Sequence, residues 1–170
     1  IRNYIPRNMD SRVTNDSIEQ AFGVQDMIMV LFTDTTILKP GDLRQVREID
    51  RAFSRMEGIG TVNSVFTARK IEGRDGMMVV DPLIERIPES DEGLESLRQD
   101  ILANAFARDI VVSSDMTSAA ITGTINTNVS EYETLSKIDS VIAESRGDAG
   151  ILTGGLPYIR QFITSDVNHD

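Results

Sequence analysis

Residues 27–32, Met-Ile-Met-Val-Leu-Phe, are the longest uninterrupted apolar run in the chain, and no other feature limits its fold so sharply. Six residues fall far short of the roughly 20 that a membrane-spanning helix needs, so the run is read as the core of a strand over 25–33. A strand that is apolar on both faces, rather than alternating, belongs inside a sheet whose two sides are both covered. No membrane span and no signal peptide are expected within these residues.

The pattern after this strand alternates between helical and extended periods. Pro40 and Asp42 open a predicted helix with an apolar stripe of Leu43, Val46, Ile49, Phe53 and Met56, and Gly58 ends it. A second strand is predicted over 61–67, carrying Val62, Val65 and Phe66. Gly73, Gly76, Pro82 and Pro88 mark 69–89 as a long connection with some extended segments, in which Asp75-Gly76 reads as a turn. Ser90 or Asp91 caps a helix running to about Asn104, with Leu94, Leu97, Ile101 and Ala105 on one face. Residues 109–113 and 118–127 read as a hairpin around a turn at 114–117; in its second arm Ala119, Ile121 and Ile125 alternate with Thr122, Thr124 and Asn126.

Ser130-Glu131-Tyr132-Glu133 has the form of a capping box, and the helix it starts carries Leu135, Ile138, Val141 and Ile142 and ends near Gly147. A short strand follows at 150–153, Gly154-Gly155 turns the chain, and Pro157 suits the first turn of a last helix. In that helix Leu156, Ile159, Phe162, Ile163 and Val167 keep helical spacing with no stop signal before Asp170. The chain is therefore expected to be a piece of something longer.

The core order is strand, helix, strand, then strand, helix, strand. Two split βαβ units in this order predict an α+β, ferredoxin-like (βαββαβ) sandwich, with a helix-containing segment inserted between its halves. Its first and third strands are central, and here those are the two longest candidates. The expected division is an irregular lead-in over 1–23, a first βαβ half over 24–67, an insertion over 68–115 that ends in the first hairpin arm, a second half over 116–154, and a helix over 155–170. Right-handed crossovers place both helices on one sheet face. The other face then needs a cover: the insertion, a second domain or a partner subunit.

The chemistry is sparse. The 170 residues contain no cysteine, which removes disulfides and thiolate metal sites. The single histidine, His169, stands at a chain end, so neither a transition-metal site nor a Ser-His-Asp triad is expected. Asp34, Asp42, Asp75, Asp81 and Asp91 fall in predicted loops or caps, and with 27 acidic residues their proximity does not single out an acid–base pair; capping accounts for Asp42 and Asp91. Gly73-Arg74-Asp75-Gly76 lacks the lysine of a phosphate loop. Thr153-Gly154-Gly155-Leu156-Pro157 joins a strand to a helix start, which suits either an anion site or a tight turn. Met77-Met78-Val79-Val80 is an apolar tetrad, read either as an adaptable surface for varied apolar ligands or as packing for the insertion. The net charge of −10 repels phosphate backbones and anionic membrane surfaces. With no dense Lys/Arg stripe expected, nucleic acid is not an expected partner. No catalytic, metal or cofactor residue is assigned, and enzymatic activity is not expected.

Five stretches in order carry a resemblance. They are Phe22-Gly23 leading to Asp26, Leu38-Lys39-Pro40 before the first helix, Ile59-Gly60-Thr61-Val62-Asn63-Ser64-Val65 at the second strand, Val111-Val112-Ser113-Ser114-Asp115 in the hairpin, and Leu152-Thr153-Gly154-Gly155-Leu156-Pro157 before the last helix. Together, over about 24–170, they resemble the extracytoplasmic porter domain between the first and second transmembrane helices of MMPL-like and Patched-like RND-superfamily exporters. Met116 departs from the pattern, since a glycine commonly follows the hairpin aspartate. The resemblance implies a proton-driven inner-membrane exporter of lipids or other hydrophobic molecules, with this segment in the periplasm along the substrate path. The implied partners are a second porter domain and the membrane helices of the same chain, a hydrophobic substrate, and further copies in a homo-oligomer. The proton-coupling carboxylates of such exporters lie in membrane helices, outside these residues. On that reading Gly154 and Gly155 are candidate hinges, and Met77, Met78 and Val79 a candidate surface for cargo or partner. The alternatives are a stand-alone ferredoxin-like ligand-binding or regulatory module, and an enzyme on the same scaffold such as an acyl-phosphate hydrolase, for which no anion loop with Arg beside Asn can be assembled.

Overall fold

A computed structural model describes residues 26–126 and 128–167; the lead-in expected over 1–23, Thr127 and His169 lie outside them. Strand β1 (Met27–Thr33) leads into helix α1 (Pro40–Arg55) and strand β2 (Ile59–Asn63). The insertion holds β3 (Arg69–Arg74), β4 (Met77–Pro82) and α2 (Asp91–Ala103). The second half is β5 (Ser118–Ile125), α3 (Glu131–Glu144) and β6 (Gly150–Gly155), from which α4 (Leu156–Val167) follows directly. The main sheet has the order β2-β5-β1-β6, with β1 antiparallel to both neighbours and β2 antiparallel to β5. The fold is thus α+β with the ferredoxin-like arrangement, and β1 and β5 occupy the centre.

The side-chain alternation of β1 decides how the layers form. Ile28, Val30 and Phe32 are fully buried and join Leu43, Val46, Ile49 and Phe53 of α1 and Leu135 and Ile138 of α3 in one core. Each such side chain contributes about 1.5–3 kcal/mol by leaving water. The i, i+3, i+4 spacing of the α1 apolar residues gives that helix a single stripe to lay on the sheet. Its N-cap is Lys39, with Pro40 at the first helical position; Asp42 is not the cap but sits buried inside the first turn. Ser90 and Ser130 do cap their helices, accepting from the Gly93 and Glu133 N–H groups at 3.2 and 3.4 Å.

Three expected elements have different bounds. β2 ends at Asn63 because the Ser64 carbonyl accepts the N–H groups of Thr67 and Ala68, closing a turn there. Val65 is apolar because it is buried beneath that turn, not because it lies in a strand. The connection over 69–89 contains a true hairpin, β3–β4, whose Asp75 and Gly76 have φ of +51° and +76°, as a two-residue primed turn requires. The first hairpin arm at 109–113 is not a strand: it holds only isolated bridges, Val112 to Ala119 and Val112 to Arg108, the former flanked by bonds from Ser113 N–H to Ser118 O and from Ala120 N–H to Val111 O. At its turn Met116 has φ +60° with only 2% of its surface exposed. Met116, at the position where the resemblance leads glycine to be expected, adopts a glycine-like backbone, and it keeps that strain because its side chain is buried.

Candidate functional site

The face of β1 opposite the helices is not buried as its composition predicts. Met27 and Met29 are 52% and 42% exposed. Register places Leu31 opposite Leu152 of β6, which is 62% exposed, and Met29 opposite Thr122 of β5 and Gly154 of β6. The central strand therefore carries a continuous apolar line on an open sheet face. Among the described residues the insertion does not bury it, since Met27, Met29 and Leu152 stay exposed and β3 and β4 form a sheet of their own.

That hairpin is itself apolar and bare. Met77 and Met78 are 68% and 78% exposed, and Ile71 and Val80 are also exposed, while Val79 is half-buried. The cross-strand pair Ile71–Val80 and the neighbouring Met78 share one face of the ribbon. Met77, Met78 and Val80 thus pack neither under the insertion nor on the sheet, while Val79 is partly packed. Exposed apolar groups at this density mark contact surfaces rather than ordinary solvent-facing positions.

The two glycines expected to turn the chain are instead the last two residues of β6, paired in register with Met29 and Ile28. Their roles differ. Gly155 has φ +117°, and a Cβ there would fall against the Met27 carbonyl oxygen and 3.1 Å from Ile28 Cα, whereas a Cβ on Gly154 would meet nothing. Gly155 lets the chain pass from strand to helix with no intervening residue. Thr153, Gly155, Tyr158 and Phe162 line a groove of about 650 Å³, into which α3 contributes Asp139. The Tyr158 hydroxyl donates to Asp139 Oδ1 at 2.9 Å, and burial, reinforced by that carboxylate, pushes its pKa up. Leu156, Ile159 and Phe162 of α4 remain exposed. The head of this helix is tied down by Arg160, whose guanidinium donates to both Asp26 and Glu131. The glycines and the hairpin methionines lie in different sheets and do not form one site.

Two acids, Asp42 and Asp50, are buried among the described residues. Asp50 accepts from the Ser64 hydroxyl at 2.5 Å with both side chains buried, and desolvation raises its pKa. Asp42 is also pushed up, first by burial and then by the neighbouring Asp34 carboxyl, and its Oδ2 has no hydrogen-bond donor. Asp34, held by Lys39 Nζ and by the Thr35 N–H, is lowered to about 2. Among the described residues no group of three or more His, Cys, Asp or Glu is placed to hold a metal ion, and no helix is long and apolar enough to cross a membrane. No family model and no curated protein matches the chain.

A Lys/Arg stripe, which the sequence reading did not expect, is present on α1. Arg44, Arg47, Arg51 and Arg55 follow one another at spacings of three and four residues along one groove. The signal was in the sequence, as a helical period of arginines interleaved with the apolar stripe, and the net charge of the whole chain concealed it.

Proposed function

We propose that this domain is an extracytoplasmic porter domain of a proton-driven RND-type exporter, contributing apolar surface and domain motion to the path of a lipid or other hydrophobic substrate. The observation that carries the reading is the bare apolar line Met27, Met29, Leu152 on a sheet whose other face already packs a complete core. A second apolar layer must meet such a face, and a second porter domain of the same chain supplies one. The β3–β4 ribbon adds Ile71, Met78 and Val80 as a separate, adaptable contact for cargo or partner. The resemblance also finds its pieces at junctions: Leu38-Lys39 enters α1, Ile59 begins β2, and Gly155 joins β6 to α4. Asp26, just before β1, is held by Arg160 near the head of α4. The start of β1 and the head of α4 thus lie at one end of the sheet, an arrangement that suits a domain set between two membrane helices on the periplasmic side. Motion of the following membrane helix would then reach the sheet through α4 and Gly155.

The test is export by the parent protein in membrane vesicles. Replacing Met77, Met78 and Val80 together by Ser leaves expression and the thermal stability of the domain unchanged, since all three are already exposed. Efflux of an apolar fluorescent substrate is expected to fall several-fold. Unchanged efflux removes the hairpin from the substrate path.

A further inference from the structure

A cluster of like charges lines the groove between α1 and the segment preceding α2. Arg44, Arg47, Arg51, Arg55 and Arg86 line a space of about 670 Å³ in which only Glu48 and Glu89 oppose them, in a chain whose net charge is −10. On a helix the four α1 positions form one row about 16 Å long, with Arg51 and Arg55 about 6 Å apart along the axis. Two of the arginines are held: Arg44 Nη1 lies 2.7 Å from Glu89 Oε1, and the Arg47 guanidinium stands 5.6 Å over the Phe66 ring. Arg51, Arg55 and Arg86 form no ion pair among the described residues. In a chain with 27 acidic side chains these three guanidiniums make no salt bridge among the described residues, although the Arg51 charge does act on the adjacent Asp50. The acidic remainder does not cancel this field, because surface charges beyond about 8 Å are screened at physiological ionic strength. Ile87, buried, and Ala52 give the groove an apolar wall beside the charges.

We propose that this groove binds a small phosphate-bearing polyanion, carrying at least two negative charges and an apolar or ring portion that rests on Ala52 and Ile87. Guanidinium forks match phosphate oxygens in pairs, and the three charges in excess call for more than one monoanion. A nucleic-acid backbone is a poorer occupant, because it must run on past the groove along a surface of its own sign. The site is on the helix layer, away from the open sheet face, and it stands whether or not the domain belongs to an exporter. The phosphate has two sources, a soluble compound or a lipid headgroup.

Titration calorimetry of this chain with inorganic pyrophosphate tests the site, with flotation on phosphatidylcholine vesicles, with and without phosphatidylglycerol, to separate the sources. Pyrophosphate is expected to bind, with an affinity that falls as salt rises. R51A/R55A is expected to weaken it about tenfold or more while leaving the circular dichroism spectrum unchanged, since both side chains are exposed. E89Q is expected to act in the opposite direction, because it frees Arg44 from its carboxylate. Flotation that needs phosphatidylglycerol and is lost in R51A/R55A assigns the site to a headgroup; pyrophosphate binding without flotation assigns it to soluble phosphates. Absence of pyrophosphate binding, or binding indifferent to both variants, overturns the proposal. So does a loss of self-association as the only effect of R51A/R55A, which would make the groove a contact between copies.

Discussion

Gly154 and Gly155 are adjacent in sequence and in the same strand, yet replacing each by alanine should have opposite effects. At Gly155 the backbone has φ +117°, and the added Cβ would meet the backbone of Met27 and Ile28 rather than a movable side chain. Backbone strain of this kind costs about 1–3 kcal/mol, and shifting the end of β6 away from β1 adds to it, so about 2–4 kcal/mol is expected. At Gly154 the new methyl meets nothing within 4 Å and φ is not positive. There the loss of unfolded-state freedom should stabilise by about 0.4–1 kcal/mol. Urea unfolding followed by circular dichroism reads both. With a slope near 2 kcal/mol/M, Gly155→Ala should lower the midpoint by about 1–2 M and Gly154→Ala should raise it by about 0.2–0.5 M, at unchanged slope. The hinge assignment is tested at the same time: an exporter carrying Gly154→Ala should keep its rate if Gly155 alone sets the junction. Equal effects of the two substitutions, or a Gly155→Ala protein within about 0.5 kcal/mol of the parent, would refute the reasoning.

Met116→Gly relieves a left-handed backbone at about 1–2 kcal/mol but removes a buried side chain worth about 2–5 kcal/mol; the net should be destabilising, and a higher melting temperature would contradict the burial argument. Asp42→Asn should stabilise the domain at pH 7, with the gain over the parent shrinking as pH falls toward 4. A carboxyl whose folded pKa is raised binds its proton more tightly in the fold, so it costs stability above that pKa and not below the unfolded value, near 3.8; denaturation at the two pH values checks the sign. Arg160→Gln should loosen α4 by about 0.5–1 kcal/mol, a surface-pair value because all three side chains are about one-third exposed. Hydrogen exchange should quicken in α4 and at the head of β1, with α1 unaffected.

The sandwich was legible because period and order agree. The helical stripe of Leu43, Val46, Ile49 and Phe53 and the capping serine at Ser130 are local signals that the tertiary structure did not override. The errors share one cause, that composition does not say what an apolar residue packs against. Met27 and Met29 look buried by the company they keep, but register turns them to the open face. Val65 and Phe66 look like strand residues, but Ser64 closes a turn over them. Asp42 has the right type and place for a cap, but the helix begins two residues earlier at Pro40, so the carboxyl is carried inside. The arginine groove was missed for the converse reason. Its charges cancel in the sum over the chain and become visible only along one helix face, joined by Arg86 from a distant segment.

The central claim, that this domain stands between membrane helices of an exporter, meets its most direct test in the reading frame on either side of these 170 residues, read together with membrane extraction of its product. The account predicts an apolar segment of about 20 residues on each flank and a product that resists alkaline carbonate and is released by detergent. A reading frame without such segments, whose product appears in the carbonate supernatant, would contradict it.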